Sequence, residues 1–236
     1  MNAKALVTML LLLLCTMIFA SEDPNDTTEH ERKTQELSQL AERFKAETGF
    51  EGDIGYNLQS MQFSTISGNF TDIEVTAPQD TLFMRNVFDQ VVSKIMPYIS
   101  AREGQLKSGK IHSNMHGSGI IYWQEVNGFS IEGGGGTLRI HYSLATRQLS
   151  VTNGTADISS DPISINLSLE QAISLVQDNV FDGAEVKPIN PRIAYVPMEN
   201  GQVYYLCYVL THQGYTVYVD VSESIIRKVA PNRIVR

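Results

Sequence analysis

Histidine, cysteine and acidic side chains are the residues of this chain that could bind a metal or act as a nucleophile. His112 and His116 stand four residues apart, a spacing that would place both imidazoles on one face of a helix. Gly109, Asn114 and Gly117 disfavour a helix there, and no third ligand lies nearby in the sequence. We therefore expect no bound metal, and a metal site at the two histidines is the alternative.

The motifs of well-known enzyme classes are absent from the sequence. It contains no His-Glu-x-x-His of zinc peptidases, no Gly-x-Ser-x-Gly elbow and no P-loop. Gly133–Gly136 precede no helix, so they indicate a bulge or a tight crossing of the backbone. Cys207 lies in an apolar strand, which favours a buried, inert thiol. We predict that the protein is not an enzyme and needs no cofactor. A catalytic cluster that forms only in space is the alternative.

Three tyrosines, Tyr204, Tyr205 and Tyr208, lie close together in one predicted strand. They could form a binding face for a ligand. Tyrosine that alternates with aliphatic residues is more typical of packing between neighbouring strands, so packing is the favoured interpretation.

The overall composition indicates a globular protein with a sizeable core. The chain has 236 residues, of which 42% are hydrophobic and 19% are charged. This length allows one large domain or two to three small modules. There are 18 basic and 26 acidic residues, which give a net charge of −8. An acidic surface argues against nucleic-acid binding, because phosphate contacts require basic side chains.

The first twenty residues have the pattern of a secretory signal peptide. Lys4 supplies a positive charge, an apolar run extends from Ala5 to Phe19, and Ala20 is suited to cleavage. We predict a secreted or periplasmic protein with no membrane span in its mature chain. A retained membrane anchor or a lipoprotein attached through Cys15 are the alternatives. After cleavage Cys207 is the only cysteine, so no intramolecular disulfide can form.

Helical periodicity predicts two helices in the N-terminal half. Residues 21–34 are polar and are predicted to be a loose leader. The first helix follows and ends at Gly49, and its apolar face comprises Leu37, Leu40, Ala41 and Phe44. After short β-prone pieces between residues 54 and 75, Asp80 is placed to cap a second helix that ends near Pro97. Its apolar stripe comprises Met84, Val87, Phe88, Val91, Val92 and Ile95.

An antiparallel meander is predicted from about Lys110 onward. Asn127-Gly128 indicates a type I′ hairpin turn, because both of its central residues need positive φ. A second strand pair ends at Asn153-Gly154. The predicted strands are 119–126, 129–131, 137–144 and 148–152.

A second helix-and-sheet unit is predicted after Asp161-Pro162. Ser168 and Gln171 fit a capping box at the start of a short helix. The predicted strands after it are 192–196, 203–212, 215–221 and 225–229. The whole pattern predicts an α+β fold with antiparallel sheets, each packed with helices, in two consecutive small modules.

The meander resembles the FTP motif in the propeptides of fungalysin-type and thermolysin-type metallopeptidases. That motif has a strand ending in Tyr-x-Gln, then Asn-Gly, a hydrophobic residue, x-Gly, another strand and a further Asn-Gly. The matching residues are Tyr122, Gln124, Asn127, Gly128, Ile131, Gly133 and Gly154. The glycine run Gly133–Gly136 departs from the family, and His116 is the candidate for the histidine that the family has before the strand.

Residues from Ser168 to about Ala230 resemble a PepSY domain, which follows FTP in the same propeptides. The resemblance includes the Ser-x-x-x-Ala helix start and the Val-Asp-Val segment with Asp220. Ser224 stands where the family usually has glycine. The resulting predicted division is a signal peptide (1–20), an N-terminal helical and mixed segment (21–106) that packs on the next unit, an FTP-like module (107–160) and a PepSY-like module (161–236).

The resemblance implies a propeptide-like protein without a protease domain. Such a protein would bind a thermolysin-type zinc metallopeptidase as an inhibitor or a folding helper. By analogy with these propeptides, the basic tail with Arg233 and Arg236 would lie nearest the protease cleft. An exported ligand- or envelope-binding scaffold is one alternative. An orphaned propeptide from a split protease gene is another.

Overall fold

The computed structural model describes residues 24–133, 135–198, 201 and 203–232. The predicted signal peptide with its cleavage point at Ala20 therefore lies outside the described residues. Gly134 of the glycine run and the tail residues Arg233 and Arg236 also lie outside them.

The first helix, α1 (Pro24–Thr48), begins well before the predicted start, so the prediction of a loose leader was wrong for residues 24–34. Residues 21–23 lie outside the described part of the chain. Charged residues one turn apart stabilise its polar half: Arg32 donates to Glu29 at 2.7 and 2.8 Å and also pairs with Glu36. Because this part of the helix has no apolar residues at helical spacing, hydrophobic periodicity did not predict a helix here. The helix ends at Gly49, as predicted, in the left-handed conformation that glycine favours.

The second helix, α2 (Thr81–Ile95), confirms the predicted cap. The Asp80 carboxylate accepts hydrogen bonds from the backbone N–H groups of Leu82 and Phe83. Pro97 lies in the short 3₁₀ turn Met96–Tyr98 that follows the helix. Five residues of the predicted stripe are buried: Met84, Val87, Phe88, Val91 and Ile95.

In the described residues, the first antiparallel sheet has eight strands: β1 (Phe50–Asn57), β2 (Gln62–Phe70), β3 (Leu106–Ser108), β4 (His112–Asn114), β5 (Gly117–Val126), β6 (Phe129–Ser130), β7 (Thr137–Ser143) and β8 (Gln148–Asn153). Their order in the sheet is β1-β2-β8-β7-β5-β3, with β4 and β6 also paired to β5. The predicted meander is therefore extended by a hairpin from the N-terminal segment, because β2 pairs with β8.

Both helices pack on one face of this sheet. Ile66, Val151, Ile140 and Ile120 lie in register across four neighbouring strands, and all four are buried beneath the helices. Phe44 of α1 is fully buried among the rings of Phe50, Phe63, Phe70 and Tyr98, with centroid separations of 4.9 to 6.1 Å. The alternation of buried and more exposed residues along β2 and β7 places their polar side chains on the opposite face.

The strands of the second sheet are β9 (Ile189–Met198), β10 (Val203–His212), β11 (Tyr215–Asp220) and β12 (Ile226–Pro231). The sheet is antiparallel in the order β12-β11-β10-β9 and packs against the helix α3 (Leu169–Val180). The predicted capping box is present at the start of α3, because the Ser168 hydroxyl accepts from Gln171 N–H while the Gln171 side chain accepts from Ser168 N–H.

Three helices and two antiparallel sheets in the described residues confirm the α+β class, with helices packed on sheets. The detailed division into modules stays a prediction. Strand β3 spans the predicted boundary between residues 106 and 107, and the first sheet takes strands from both sides of it.

The two sheets meet at the end of β5 and the segment that follows β6. Ile131 forms a parallel bridge with Tyr195 of β9, and the Glu132 N–H donates to the Tyr195 carbonyl at 2.8 Å. The Glu132 carboxylate also pairs with Arg192 at 2.7 Å. Val126, the last residue of β5, is fully buried and packs in the core of the second sheet.

Candidate functional site

Gln124 is the centre of a buried hydrogen-bond network on the inner face of β5. It is 1% exposed. Its amide nitrogen donates to the Gln105 side chain at 2.9 Å and to the Ala156 carbonyl at 2.8 Å. Its amide oxygen accepts from the Ala156 N–H at 2.8 Å. Because its bonds stay inside the protein, this motif residue holds the chain after β8 in place rather than facing a ligand.

A second buried amide, Gln62, organises the neighbouring end of the sheet. Its nitrogen donates to the Thr155 carbonyl, and its oxygen accepts from Ser100 and from the Asn153 side chain. These groups line a polar cleft of about 540 Å³ together with Asn57. Apart from the Asn153-Gly154 turn, nothing in the sequence indicated this network, because its members come from three separate segments: β2, the residues around Ser100, and residues 153–155.

Tyr122 connects the sheet to α2. Its hydroxyl donates to the Asp89 carboxylate at 2.7 Å, and its ring is buried. Burial raises the pKa of the Tyr122 hydroxyl, and the hydrogen bond to Asp89 raises it further. The hydroxyl therefore stays protonated and serves as a structural donor. Arg85, one turn before Asp89, donates to the Gly109 carbonyl at 2.6 Å.

The Asn127-Gly128 turn has positive φ at both residues, 53° and 82°, as the type I′ prediction requires. The Asn127 side chain donates to the Asp161 carbonyl at 3.1 Å and so reaches the connection between the sheets. At Gly133, φ is 75°, and an added Cβ would lie 3.5 Å from Pro197 of β9. These motif residues therefore shape the junction between the two sheets.

The glycine run makes the tight backbone crossing that its composition predicted. Gly136 accepts from Gln124 N–H and donates to the Gly154 carbonyl, both at 2.7 Å. Its φ is 67°, and an added Cβ would lie 2.7 Å from the Ile131 side chain. Only glycine fits this position without displacing its neighbour.

Asp220 is buried at the end of β11. One carboxylate oxygen accepts from the Ser222 N–H, the Ser222 hydroxyl and the Glu223 N–H at 2.7 to 3.0 Å. The other pairs with Arg227 at 2.9 and 3.0 Å. Burial alone would raise the pKa of Asp220, but the hydrogen bonds from Glu223, Ser222 and Arg227 outweigh it and lower the pKa. The carboxylate is therefore a fixed anion that holds the turn.

The three tyrosines of β10 do not form one face. Tyr208 is buried and donates to the Leu167 carbonyl at 3.1 Å, as the packing interpretation predicted. Tyr205 points to the opposite face, where the Arg227 guanidinium lies 4.0 Å from its ring centre. Tyr204 lines the cleft that contains Gln62. Cys207 is fully buried, as predicted, and burial followed by the nearby Asp220 charge raises the pKa of its thiol to about 12.

His112 and His116 lie on β4 and on the turn before β5, not on a helix. Within the described part of the chain, no group of three or more histidine, cysteine or acidic residues could hold a metal ion. Among the helices between residues 24 and 232 that the structure describes, none is long and apolar enough to cross a membrane.

Tyr195 is a functional candidate that the sequence did not indicate. It is 1% exposed, and its hydroxyl has no hydrogen-bond partner among the described residues. It borders a cavity of about 290 Å³ whose other lining residues are Asn127, Phe129, Pro162, Ile163 and Leu206. Its position in a buried apolar strand gave no sequence signal, because tyrosine is common in strands.

The structure thus distributes the predicted site residues over three places. Gln124, Asn127, Gly128 and Gly133 lie at or beside the junction of the sheets, Tyr122 contacts α2, and Asp220 holds the turn before β12. None of these contacts tests a partner-binding role for any of them. The role proposed for Arg233 and Arg236 stays a prediction.

No family model matches this sequence, and no curated protein matches it either. Among solved structures, the Bacillus megaterium YpeB C-terminal domain is similar, with a TM-score of 0.34 and 13% sequence identity. The similarity covers 84% of this chain and 96% of that one. A similarity this low does not identify a family, so the FTP and PepSY resemblances stay predictions.

Proposed function

We propose that this protein is a secreted or periplasmic, non-enzymatic, propeptide-like scaffold that binds a thermolysin-type zinc metallopeptidase as inhibitor or folding helper. The observation that carries the proposal is the internal use of the motif side chains. Gln124 and Tyr122 make their hydrogen bonds to other parts of the protein. Side chains used in this way stabilise a rigid scaffold. Contacts with a protease would then be made by exposed residues on the surface of that scaffold.

Rigidity supports binding to a cleft, because a partner surface that is already ordered loses little conformational entropy on association. Both sheets carry packed helices, and the junction between them is fixed by backbone and side-chain hydrogen bonds. The basic tail with Arg233 and Arg236 follows the edge strand β12 directly. In a chain of net charge −8, this tail is a local basic feature that could reach an acidic protease cleft.

The test is a titration of the chain from residue 21 onward, the expected mature form, against a thermolysin-type protease with a peptide substrate. We expect saturable inhibition near one-to-one stoichiometry, with the scaffold intact on a gel afterwards. Rapid digestion of the protein without inhibition contradicts the proposal.

The tail is tested by the double variant Arg233→Ala/Arg236→Ala. We expect weaker inhibition, because two cations nearest the proposed contact are lost. The matched control is Arg139→Ala/Lys187→Ala, which removes two exposed cations elsewhere and should leave inhibition unchanged. Equal inhibition by both double variants would remove the tail from the mechanism.

A binding scaffold without a protease partner is the second candidate. The cavity that Tyr195 borders favours it, because pockets with a few polar groups among apolar walls are typical of ligand sites. Recovery of envelope components rather than a zinc protease in a pull-down from the secreted fraction of the host would support this candidate.

A further inference from the structure

Three strands of the first sheet place a histidine on either side of a glycine. His112 of β4 pairs with Gly119 of β5, and Gly119 pairs in turn with His141 of β7. Residues paired in this way point to the same face of a sheet. The hydroxyl of Ser113, the residue after His112, lies 2.8 Å from that of the fully buried Ser118. Both histidines therefore lie on the opposite, open face, and both are exposed.

The ring of His141 lies across β5 in the direction of β4. A Cβ added to Gly117 would lie 3.1 Å from the Nε2 atom of His141, and one added to Gly119 would lie 3.4 Å from its Cδ2 atom. The two glycines thus leave the space that the imidazole occupies. Because the residue between the two histidines is Gly119, no side chain of β5 separates them in this row.

The separation of the two histidines suits a single metal ion. Neighbouring strands have a regular spacing, so two spacings place the Cα atoms of His112 and His141 about 10 Å apart. Two imidazoles that lean toward each other span this gap when each makes a metal–nitrogen bond of about 2 Å. Among the described strands, β4 pairs with β5 alone, so the exposed side chain of His112 is free to turn toward His141.

The chemistry of the two side chains selects the class of metal. Imidazole is a preferred ligand of Cu²⁺, Ni²⁺ and Zn²⁺, whereas Mg²⁺ and Ca²⁺ prefer oxygen. No group of three or more histidine, cysteine or acidic residues that could hold a metal occurs in the described ranges. A metal at this pair therefore has two protein ligands, and water occupies its other positions. Of these divalent ions Cu²⁺ should bind most tightly.

We propose that His112 and His141 together bind a divalent late transition metal ion, preferentially Cu²⁺, on the open face of the first sheet. The spacing of His112 and His116 in the sequence indicated a different pair, because the sequence does not show which strands are neighbours. The site does not depend on the protease partner. A failure of protease inhibition leaves it standing, and its own failure leaves the protease hypothesis standing.

The experiment is isothermal titration calorimetry of the chain from residue 21 onward, prepared without a histidine tag, with Cu²⁺, Zn²⁺ and Mg²⁺. We expect saturable binding of Cu²⁺, weaker binding of Zn²⁺ and none of Mg²⁺. Paramagnetic Cu²⁺ at low occupancy should broaden the ring signals of His112 and His141 in NMR spectra before those of the other histidines.

His112→Gln and His141→Gln each remove one ligand. Loss of an outer hydrogen bond to a metal ligand already costs about 10- to 100-fold in metal affinity, so each variant should bind Cu²⁺ at least about 10-fold more weakly. The matched controls are His30→Gln on α1 and His212→Gln on β10. They remove histidines elsewhere in the chain and should leave the affinity unchanged.

Gly119→Val keeps both histidines and fills the space between them. Valine is favoured in strands, and the φ of Gly119 lies outside the left-handed region, so we expect the variant to fold. Its added side chain should displace the His141 ring and weaken Cu²⁺ binding, while the circular dichroism spectrum stays unchanged.

Two results would overturn the proposal. One is an unchanged Cu²⁺ affinity in His112→Gln or in His141→Gln. If His116→Gln then loses the site, the metal is bound by a pair that includes the hairpin turn. The other is an equal weakening in the control variants, which would show adventitious binding to exposed histidines.

Discussion

Buried polar side chains at single positions hold the irregular parts of this protein. Gln124 satisfies both backbone groups of Ala156, and Asp220 satisfies two backbone N–H groups of the turn that follows it. A buried polar group without a partner costs about 1–3 kcal/mol, so each of these residues favours one local conformation over others. The Tyr195 hydroxyl departs from this rule, because it is buried without a hydrogen-bond partner among the residues that the structure describes.

Asp220 predicts a specific pH dependence of stability. Because its folded pKa is lowered, it stabilises the protein above the unfolded pKa of about 4, and this contribution is lost as the pH falls below that value. Asp220→Asn should lower the free energy of unfolding by roughly 2 kcal/mol at pH 7, because Arg227 loses its buried partner. The variant should also lose less stability than the natural protein between pH 5 and pH 3. Urea denaturation at each pH measures both effects.

The control for this prediction is Glu223→Gln, which removes the other carboxylate that contacts Arg227, at 2.7 Å. Glu223 is 61% exposed, so its loss should cost less than about 1 kcal/mol. Equal costs for the two variants would mean that the carboxylate of Asp220 has no special role.

Helices and turns show where local sequence decides structure. Asp80 and Ser168 begin their helices by side-chain capping, and Gly49 ends α1. The turn between β11 and β12 is different, because Asp220 stabilises it while Ser224 adopts a φ of 57°. This left-handed conformation disfavours residues with a Cβ, and the PepSY resemblance predicts glycine at this position.

Ser224→Gly should therefore stabilise the protein by about 0.5–1 kcal/mol, because it relieves a left-handed conformation at a residue with a Cβ. Urea denaturation provides the measurement. Ser164→Gly is the matched control in an exposed connection with ordinary φ, where added chain freedom should lower stability slightly. A loss of stability in Ser224→Gly would contradict this account of the turn.

At the scale of the whole molecule, the two sheets share structure at their junction. Val126 ends a strand of the first sheet but lies in the core of the second. Asn127 and Glu132 add hydrogen bonds to Asp161 and Tyr195 across the same junction. Such continuous packing favours unfolding of both sheets in one cooperative step.

The chain carries one natural probe in each sheet for testing this cooperativity. Trp123 on β5 is the only tryptophan, and Cys207 on β10 is the only cysteine after residue 20. We expect the urea transition of Trp123 fluorescence to coincide with the exposure of the Cys207 thiol to a labelling reagent. Val126→Ala should lower the free energy of unfolding by about 2 kcal/mol and shift both transitions together to lower urea concentration. Labelling of Cys207 at a lower urea concentration than the tryptophan transition would show that the second sheet unfolds separately.

Signals within a few residues determined much of this fold from the sequence. The Asn127-Gly128 turn, the caps at Asp80 and Ser168 and the apolar stripe of α2 all have local causes in backbone geometry and hydrophobic periodicity. The polar half of α1 gave no such signal, because ion pairs rather than an apolar face stabilise it. Its surface-exposed residues leave no period in the hydrophobic pattern.

Only the tertiary structure decided how distant segments meet. The hydrogen-bond partners of Gln124 lie 19 and 32 positions away in the sequence. Strand β2 pairs with β8 rather than with β3, the next strand along the chain. The cavity beside Tyr195 likewise combines residues from the Asn127 hairpin, the connection between the sheets, and strands β9 and β10. Local propensity cannot specify such contacts. They arise when the whole chain buries its apolar faces and must satisfy the polar groups enclosed with them.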